Sequence, residues 1–355
     1  MTVKKIFIIS FVSTLLLPFS VSFLYQNNLS HENTNNDNTT KFTETSIIKY
    51  LKHQKENLES NFALRDIFIK SYLYIKQNIL QAEALPYEVK KGKDGWLFLG
   101  NSYKSVFNES LGAINHDSKS IDEICSKIEK MNSICSQNNA DFYFAIVSNK
   151  HTIYADKLPL TPIKSKSRFA QVKHKINNDS IVKFIDLSED FNLYKDSTKL
   201  YHKTDSHWTS YGALLGTKKL LQTLSQTYNI NADLCKFKNY KIDSILIEQM
   251  DLCRLTYQST PEYQYVFTPV KPELKVNEPV NNMYKHNTTN NLKILIFHDS
   301  YFLSMKSFLP PYFDELHFFW SGFDVIKIKQ IKPDIVIFLS IERSLADFES
   351  KKMVF

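Results

Sequence analysis

Glycine is scarce in this sequence, with only seven residues in 355, against a usual share of roughly 7%. The two common phosphate-binding loops need glycines at fixed spacing, and the sequence contains neither G-x-G-x-x-G nor G-x-x-x-x-G-K-S/T. It also lacks the G-x-S-x-G nucleophile elbow. These absences exclude the two common glycine-rich nucleotide-binding motifs and the nucleophile elbow of α/β-hydrolases.

Cysteine is sparse as well, and no two of the four cysteines form the C-x-x-C pair of zinc and redox motifs. Cys125 and Cys135 fall on one predicted helix, about 15 Å apart by helical rise. A disulfide needs Cα atoms within roughly 7 Å, so this pair cannot bridge. Cys235 and Cys253 can pair if the chain is exported, and four buried free thiols are the alternative. We predict no metal site and no cofactor.

The charge of the chain is basic but diffuse. The formal net charge is +7 and the pI is near 8.9, a balance that suits polyanionic partners. The lysines are scattered, and the sequence contains no zinc-finger spacing, RNP-like aromatic motif or basic zipper. We therefore expect no nucleic-acid partner and attribute most of the charge to composition.

The N-terminus carries the pattern of an export signal. Lys4 and Lys5 precede Ile6–Leu24, a stretch of nineteen residues without charge. Either this stretch is cleaved near Ser20-Val21-Ser22, or it stays as an anchor, since spanning needs about 20 residues. We predict a signal peptide or signal anchor over residues 1–25. The body is then periplasmic or otherwise extracytoplasmic, tethered to the inner membrane by residues 6–24 or released after cleavage.

Residues 26–46 form a polar, Asn-rich tract that predicts a disordered tether. Residues 47–355 are predicted to form one domain, because the chain is 43% apolar and 14% aromatic and can bury a large core. This domain begins with helices, since apolar residues recur at helical spacing over Ile47–Leu80, with a break near Asn61.

Further along the chain, short apolar runs alternate with amphipathic helices. The predicted strands are Phe142–Ser148, Ile181–Leu187, Leu292–Phe297, Leu316–Trp320 and Ile335–Ser340, with a shorter one at Trp96–Leu99. One predicted helix begins at Ser120, where Ser120 and Glu123 form a capping box. Three more are predicted at Phe169–Ile176, Ser210–Tyr228 and Val325–Ile331. Apolar strands that do not alternate indicate a parallel sheet covered on both faces. We therefore predict an α/β fold, a three-layer α/β/α sandwich with a mainly parallel five-stranded sheet.

Sites in such sheets lie beyond the carboxyl ends of the strands. Ser300 follows the strand ending at Phe297, at a sharp exit into a helix. A serine needs a base to take its proton before it acts as a nucleophile. His207 is the best base candidate, and Asp205 can fold onto its Nδ1 to fix the tautomer. The alternatives are an ordinary surface or core histidine at 207 and a helix N-cap at Ser300.

Several segments resemble the AlgX/AlgJ-type SGNH-hydrolase-like acetyltransferases of bacterial exopolysaccharide O-acetylation. These segments are Lys91–Gly100, Ile146–Pro159, Tyr201–Ala213, Met250–Leu255, Ile294–Phe302 and Lys332–Leu345. The most specific are the G-x-D-G-W-L-F and D-x-H-W-T motifs. The resemblance implies an SGNH-hydrolase-like fold, with Asp205, His207 and Ser300 as the catalytic residues.

The chain departs from the family at three points. The proline that precedes the family's lysine segment is missing before Asn149 and Lys150. Many relatives have glycine where this chain has His298, and the commoner phenylalanine is replaced by Tyr301. Both of these side chains could touch the site.

Besides His298 and Tyr301, four further residues are candidates for binding substrate or stabilising an oxyanion. Lys150, Asn149 and Arg343 lie at the expected sheet edge, where a salt bridge or a strand-end cap is the structural alternative. Trp208 either packs to hold the His207 loop or stacks on a sugar. The backbone N–H after Ser300 is expected to form half of the oxyanion hole.

The resemblance implies acetyl transfer through a Ser300 acyl-enzyme to hydroxyls of a polysaccharide acceptor. It also implies a membrane-bound O-acyltransferase partner that supplies acetyl groups. No residue pattern selects alginate over another exported or cell-surface polysaccharide. The alternatives are an acetyl-esterase with the same residues and a non-catalytic polysaccharide-binding or assembly protein.

Overall fold

The computed structural model describes Val12 and residues 65–80, 82, 85, 87–163, 167–256, 259–286 and 288–349. The predicted signal segment, apart from Val12, lies outside these residues, and so do the predicted tether and the helix break near Asn61. Within the described residues, no helix combines the length and the apolar character needed to cross a membrane.

The chain divides into two units, residues 1–84 and residues 85–355. The described part of the first unit forms helix α1 (Arg65–Tyr74), which continues into a π-helical segment at Ile75–Ile79. The second of the two helices predicted for this region therefore overlaps α1.

The second unit contains all the strands found in the described residues. They are β1 (Val89–Lys91), β2 (Leu97–Leu99), β3 (Asp141–Val147), β4 (Lys183–Asp186), β5 (Tyr240–Ile247), β6 (Glu262–Pro269), β7 (Met283–Lys285), β8 (Lys293–His298), β9 (Glu315–Phe319) and β10 (Ile335–Ile341). The helices of this unit are α2 (Val106–Ser110), α3 (Ser118–Gln137), α4 (Lys150–Ile153), α5 (Arg168–Asp179), α6 (Phe191–Tyr194), α7 (Ser210–Leu224), α8 (Asp251–Thr256), α9 (Phe302–Met305), α10 (Val325–Ile331) and α11 (Ala346–Glu349).

The main sheet has six strands in the order β4-β3-β10-β8-β9-β7. The five strands from β4 to β9 are parallel, and β7 pairs antiparallel with β9 at the edge. All five predicted strands are thus confirmed as the parallel part of the sheet. The sixth strand escaped prediction because a run of three residues carries no recognisable periodicity.

Side chains of the central strands alternate between two cores, as the pleat requires. In β8, Ile294 and Ile296 face a core shared with α7 and α9. Leu295 and Phe297 face the opposite core, formed with α3, α5 and α10. The sheet is therefore covered by helices on both faces, and the predicted three-layer α/β/α sandwich is confirmed.

Helix α3 begins two residues earlier than predicted. Asp117 is its N-cap, and the carboxylate accepts a hydrogen bond from the Ser120 N–H at 2.7 Å. An aspartate at this position satisfies an N–H that the helix itself leaves free. Ser120 therefore lies inside the first turn, and the predicted Ser120/Glu123 capping box is wrong. Cys125 and Cys135 both lie in α3 and are buried, as the spacing predicted.

Two smaller antiparallel pairs accompany the main sheet. Strands β1 and β2 form one, with Val89 opposite Leu99, and β5 and β6 form the other, with Tyr240 opposite Pro269. The segment between β5 and β6 contains α8. Cys235 and Cys253 lie buried as free thiols, so the disulfide considered from the sequence is not formed and the free-thiol alternative holds in the structure.

Candidate active site

Four neighbouring strands of the main sheet end at one edge, and three of the residues selected from the sequence follow them. Asn149 follows β3, Arg343 follows β10, Ser300 follows β8 and Trp320 follows β9. Because these strands are adjacent and parallel, their carboxyl ends meet at the same edge. Ser300 stands in the middle of this row, with strands on either side.

The side chains of Asp205, His207 and Ser300 form one hydrogen-bonded chain. Nε2 of His207 lies 2.8 Å from Oγ of Ser300, and Nδ1 lies 2.8 Å from Oδ1 of Asp205. A carboxylate can only accept a hydrogen bond, so Nδ1 of His207 carries the proton. Nε2 is then free to accept a hydrogen bond from the hydroxyl of Ser300. Chemically, the arrangement pairs a potential nucleophile with a base that can take its proton.

A tight turn folds Asp205 onto His207. Oδ1 of Asp205 also accepts from the backbone N–H of His207 at 2.8 Å, and Oδ2 accepts from the N–H of Asp251 at 3.2 Å. Burial acts to raise the pKa of Asp205, but the hydrogen bonds and charge of His207 outweigh it and hold this pKa well below its ordinary value. The carboxylate therefore stays ionised and can stabilise a protonated imidazole.

A second carboxylate, which sequence reasoning missed, lies beside His207. Asp251, the first residue of α8, accepts from the Ser206 N–H at 2.8 Å and from the Ser206 hydroxyl. Its Oδ2 lies 3.6 Å from Nδ1 of His207. Burial and the neighbouring Asp205 raise the pKa of Asp251. The available signal was its place in the Met250–Leu255 segment that resembles the family.

Asp205, His207 and Asp251 also have the spacing of a metal site, with potential ligand atoms within 4.8 Å of one another. Nδ1 is the imidazole nitrogen that faces both carboxylates. That nitrogen carries the proton donated to Asp205, whereas a metal needs its lone pair. The hydrogen-bond pattern therefore fits an oriented base better than a metal ligand.

Asp299 shapes the turn that presents Ser300. Its Oδ1 accepts from the Tyr301 N–H at 3.0 Å, and its Oδ2 accepts from the Ile341 N–H at 2.7 Å. The carboxylate thus ties the turn to the end of β10. It also occupies the N–H after Ser300, which was expected to form half of an oxyanion hole, so that expectation is wrong for this conformation.

Lys150 supports the loop that carries Asp205. Its Nζ donates to the backbone carbonyls of Lys203 at 3.0 Å and Asp205 at 2.8 Å. The side chain is buried against the rings of Trp96 and Phe98. Burial lowers the pKa of Lys150 from 10.5 to about 7, against the opposing effect of nearby carboxylates. Its observed donors are directed at the loop, so its contacts are structural, but they are neither the salt bridge nor the strand-end cap considered from the sequence.

Asn149 and Arg343 carry polar donors at the ends of β3 and β10. Nη1 of Arg343 donates to Oδ1 of Asn149 at 3.4 Å, and its guanidinium lies 5.7 Å from the centre of the Tyr301 ring. The amide nitrogen of Asn149 finds no acceptor among the described residues. The partly exposed Arg343 therefore keeps N–H groups available for a ligand at this edge, and the amide of Asn149 lies buried beside it at 1% exposure.

Glu342 accepts a hydrogen bond from the backbone N–H of Asn149. The ionisation of its carboxyl makes the free energy of unfolding depend on pH. Burial raises the pKa of Glu342 from 4.5 to about 7, against hydrogen bonds from the Thr152 hydroxyl at 2.6 Å and the Asn149 N–H at 2.7 Å. The carboxyl of Glu342 holds its proton more tightly in the fold than in the unfolded chain. Its protonated form therefore stabilises the fold below pH 4.5, and this contribution is lost as the pH rises to about 7.

We expect Glu342→Gln to flatten that loss, because an amide does not titrate. The loss is on the order of 3 kcal/mol in the free energy of unfolding. Denaturant unfolding of both proteins, at about pH 5 and about pH 8, measures the difference. An identical pH dependence in the two proteins would show that Glu342 ionises normally in the fold.

Trp208 packs in the core and is 1% exposed. Its Nε1 donates to the backbone carbonyl of Tyr301 at 3.1 Å, so it links the His207 loop to the Ser300 turn. The ring lies so close to α7 that a Cβ added at Gly216 would come within 2.9 Å of it. Glycine is required at position 216 for this close approach. The observed contacts of Trp208 are those of a packed side chain that holds the His207 loop.

Tyr301 uses the hydroxyl that a phenylalanine would lack. The side chain is fully buried, and its OH donates to the backbone carbonyl of Ser206 at 2.6 Å. Tyr301→Phe leaves that carbonyl without its donor, so we expect the free energy of unfolding to fall by about 1–2 kcal/mol. Urea unfolding measures this loss, and stability equal to that of the wild type would mean that the bond contributes nothing.

His298 lies at the end of β8 and does not join the Asp205–His207–Ser300 chain. Its Nδ1 lies 2.8 Å from the carbonyl of Asp299, and its ring packs on Phe302 with centroids 4.4 Å apart. Burial lowers the pKa of His298, so the ring is neutral near pH 7. Its Nε2 is buried with no partner among the described residues.

Comparison with known families supports the resemblance read from the motifs. Residues 89–260 match a family model described as an SGNH hydrolase-like domain of the acetyltransferase AlgX. The resemblance to the AlgX/AlgJ-type family is therefore confirmed. The matched range includes Asn149, Lys150, Asp205 and His207. No curated protein matches the chain.

Three solved structures share the fold at low sequence identity. The O-acetyltransferase domain of Pseudomonas putida AlgJ is 16% identical, with a TM-score of 0.50, covering 75% of this chain and 95% of that one. Bacillus cereus PatB1 with a sulfonyl adduct is 17% identical, with a TM-score of 0.55, covering 72% and 95%. A DHHW family protein from Eubacterium siraeum is 14% identical, with a TM-score of 0.50, covering 74% and 97%.

Proposed function

We propose, from the premise that residues 89–260 belong to the SGNH hydrolase-like acetyltransferase family of AlgX, that this chain is an O-acetyltransferase. Its acceptor is a bacterial cell-surface or exported polysaccharide, and Ser300 carries the acetyl group between donor and acceptor. The observation that carries the proposal is the hydrogen-bonded chain from Asp205 through His207 to Ser300, with 2.8 Å at both links.

The first half of the reaction loads Ser300. Nε2 of His207 takes the hydroxyl proton as Oγ attacks the acetyl carbonyl carbon of the donor. The bond between that carbon and the donor oxygen then breaks, and the leaving oxygen takes the proton from His207. Ser300 now holds an acetyl ester, and His207 is neutral again.

The second half passes the acetyl group to the glycan. His207 takes the proton of a sugar hydroxyl, whose oxygen attacks the acetyl carbon on Ser300. The Oγ–acetyl bond breaks, and Ser300 recovers its proton from His207. Asp205 stabilises the protonated imidazole in both halves, because its carboxylate stays ionised beside Nδ1.

The oxyanion formed in each half needs hydrogen-bond donors, each worth roughly 3–4 kcal/mol. The side-chain candidates are Arg343 and the amide nitrogen of Asn149, since Nζ of Lys150 is directed at two loop carbonyls and the Tyr301 N–H donates to Asp299. We assign the oxyanion hole to Arg343 and Asn149.

The proposal includes a cellular arrangement taken from the same resemblance. A membrane-bound O-acyltransferase delivers acetyl groups from the cytoplasm, because acetyl-CoA is made there. The chain works outside the cytoplasm, with residues 6–24 serving as a cleaved signal or as an inner-membrane anchor. Labelled crosslinking in the native membrane, followed by identification of the captured partner, tests this arrangement.

The test of function separates transfer from hydrolysis. Full-length protein is mixed with an acetyl-ester donor such as 4-nitrophenyl acetate, with and without an oligosaccharide acceptor, and both products are measured by mass spectrometry. We expect acetylated sugar in the presence of the acceptor and slow release of acetate without it. Acetate alone under both conditions identifies an esterase, and no turnover of the donor identifies a non-catalytic binding protein.

A further inference from the structure

Trp320 is an exposed tryptophan at the edge of the sheet that carries the site. Its side chain is 62% exposed, whereas the other two tryptophans of the chain, Trp96 and Trp208, are 7% and 1% exposed. A tryptophan can bury 150–250 Å², so leaving its ring in water forgoes most of that stabilisation. Its surface is therefore available to a ligand.

The Trp320 ring contacts the ring of His298, which belongs to a cluster of aromatic side chains. It rests against His298, with centroids 6.2 Å apart, and His298 packs in turn on Phe302 and Phe318 at 4.4 and 6.1 Å. The hydrogen bond from His298 to the carbonyl of Asp299 fixes that support. A glycine at this position would leave the indole without that contact, so the support of Trp320 depends on the imidazole of His298.

The pairing of β8 with β9 places Trp320 near Ser300. Phe297 pairs with Phe319 in that register, so His298 and Trp320 follow at the same level. From strand spacing and rise, the Cα atoms of Trp320 and Ser300 lie within about 10 Å. One oligosaccharide can touch both positions.

The two sides of Ser300 differ in character. On the β10 side lie the polar donors of Arg343 and Asn149, and the loop held by Lys150. On the β9 side lies Trp320, which is 62% exposed. The polar side suits the acetyl oxygen, and the apolar side is left for the acceptor.

We propose that Trp320 forms an acceptor subsite, where its indole stacks on the apolar face of a pyranose unit. This unit neighbours the one whose hydroxyl reaches Ser300, so the inference rests on the proposed function. A pyranose with equatorial substituents presents C–H groups on one face. These groups match the negative face of the indole, and the contact removes apolar surface from water.

Tryptophan fluorescence tests binding without requiring catalysis. In full-length Ser300→Ala protein, acrylamide quenches mainly Trp320, because the other tryptophans are buried. The probes are cellohexaose, chitohexaose and a hexauronate. We expect at least one of them to protect the emission from quenching, and we expect Trp320→Phe in the same background to abolish that protection. Quenching that none of the three probes changes overturns the subsite.

Kinetics provide the second readout. We expect Trp320→Ala to raise the KM for the bound hexasaccharide about tenfold, and Trp320→Phe to restore part of the loss. Tyr87→Ala is the matched control, since Tyr87 is an aromatic residue with 61% exposure elsewhere on the surface. An unchanged KM in Trp320→Ala overturns the subsite and leaves the proposed function standing. Protected fluorescence without any acetyl transfer overturns the proposed function and leaves the subsite standing.

Discussion

Replacing Ser300 by alanine is expected to reduce acetyl transfer by about 10⁴-fold or more, as loss of a catalytic nucleophile does in enzymes with a Ser–His–Asp arrangement. The reason is chemical, because the Oγ that forms the acetyl ester is gone and His207 alone offers no equivalent acceptor. The measurement is the rate of acetylated oligosaccharide formation in the full-length protein, at saturating donor.

The control for this variant is Ser307→Ala, which removes an exposed hydroxyl shortly after α9 and is expected to keep the wild-type rate. Thermal unfolding of both variants shows whether the fold is intact. If Ser300→Ala retains more than about a tenth of the wild-type rate with an intact fold, then Ser300 is not the acetyl carrier.

The second large effect concerns the two carboxylates that face His207. We expect Asp205→Asn to lower kcat by about 10³–10⁴-fold, because an amide stabilises the imidazolium poorly and favours the wrong tautomer. Asp251→Asn makes the same chemical change at a carboxylate 3.6 Å from Nδ1 rather than 2.8 Å. We expect it to cost only about tenfold, the value of one hydrogen bond to a charged group.

The comparison of these two variants is more informative than either alone, because each replaces one carboxylate that faces His207 by an amide of the same size. The measurement is kcat against pH for each variant, with folding checked by circular dichroism. A larger loss for Asp251→Asn than for Asp205→Asn would reverse the assignment and make Asp251 the principal partner of His207.

The architecture was predictable because the sheet is parallel and buried. Strands such as β3, β8 and β10 are apolar along their length and stand out as continuous runs. The ribbon of β5 and β6 was missed for the opposite reason. Several of its apolar side chains, including Ile242 and Ile245, face solvent, so the sequence shows neither a buried run nor a clean alternation.

The candidate site was predictable only as far as local motifs and strand ends reach. Ser300 and His207 follow from the sheet-edge rule and the D-x-H pattern. The contact of Asp251 with His207 depends on how α8 packs, which no local pattern encodes. The capture of the Tyr301 N–H by Asp299 depends on side-chain geometry within one turn, so the sequence suggested a free oxyanion donor where the structure has an occupied one.

The central claim is that Ser300 holds the acetyl group between donor and acceptor. The most direct measurement is mass spectrometry of the intact protein and its peptides, after rapid mixing with acetyl donor and acid quenching, with no acceptor present. The account predicts one added acetyl group on the peptide containing Ser300, absent from Ser300→Ala and removed by adding oligosaccharide. Acetyl on a different residue in both proteins, lost to the oligosaccharide at the wild-type rate, would contradict it.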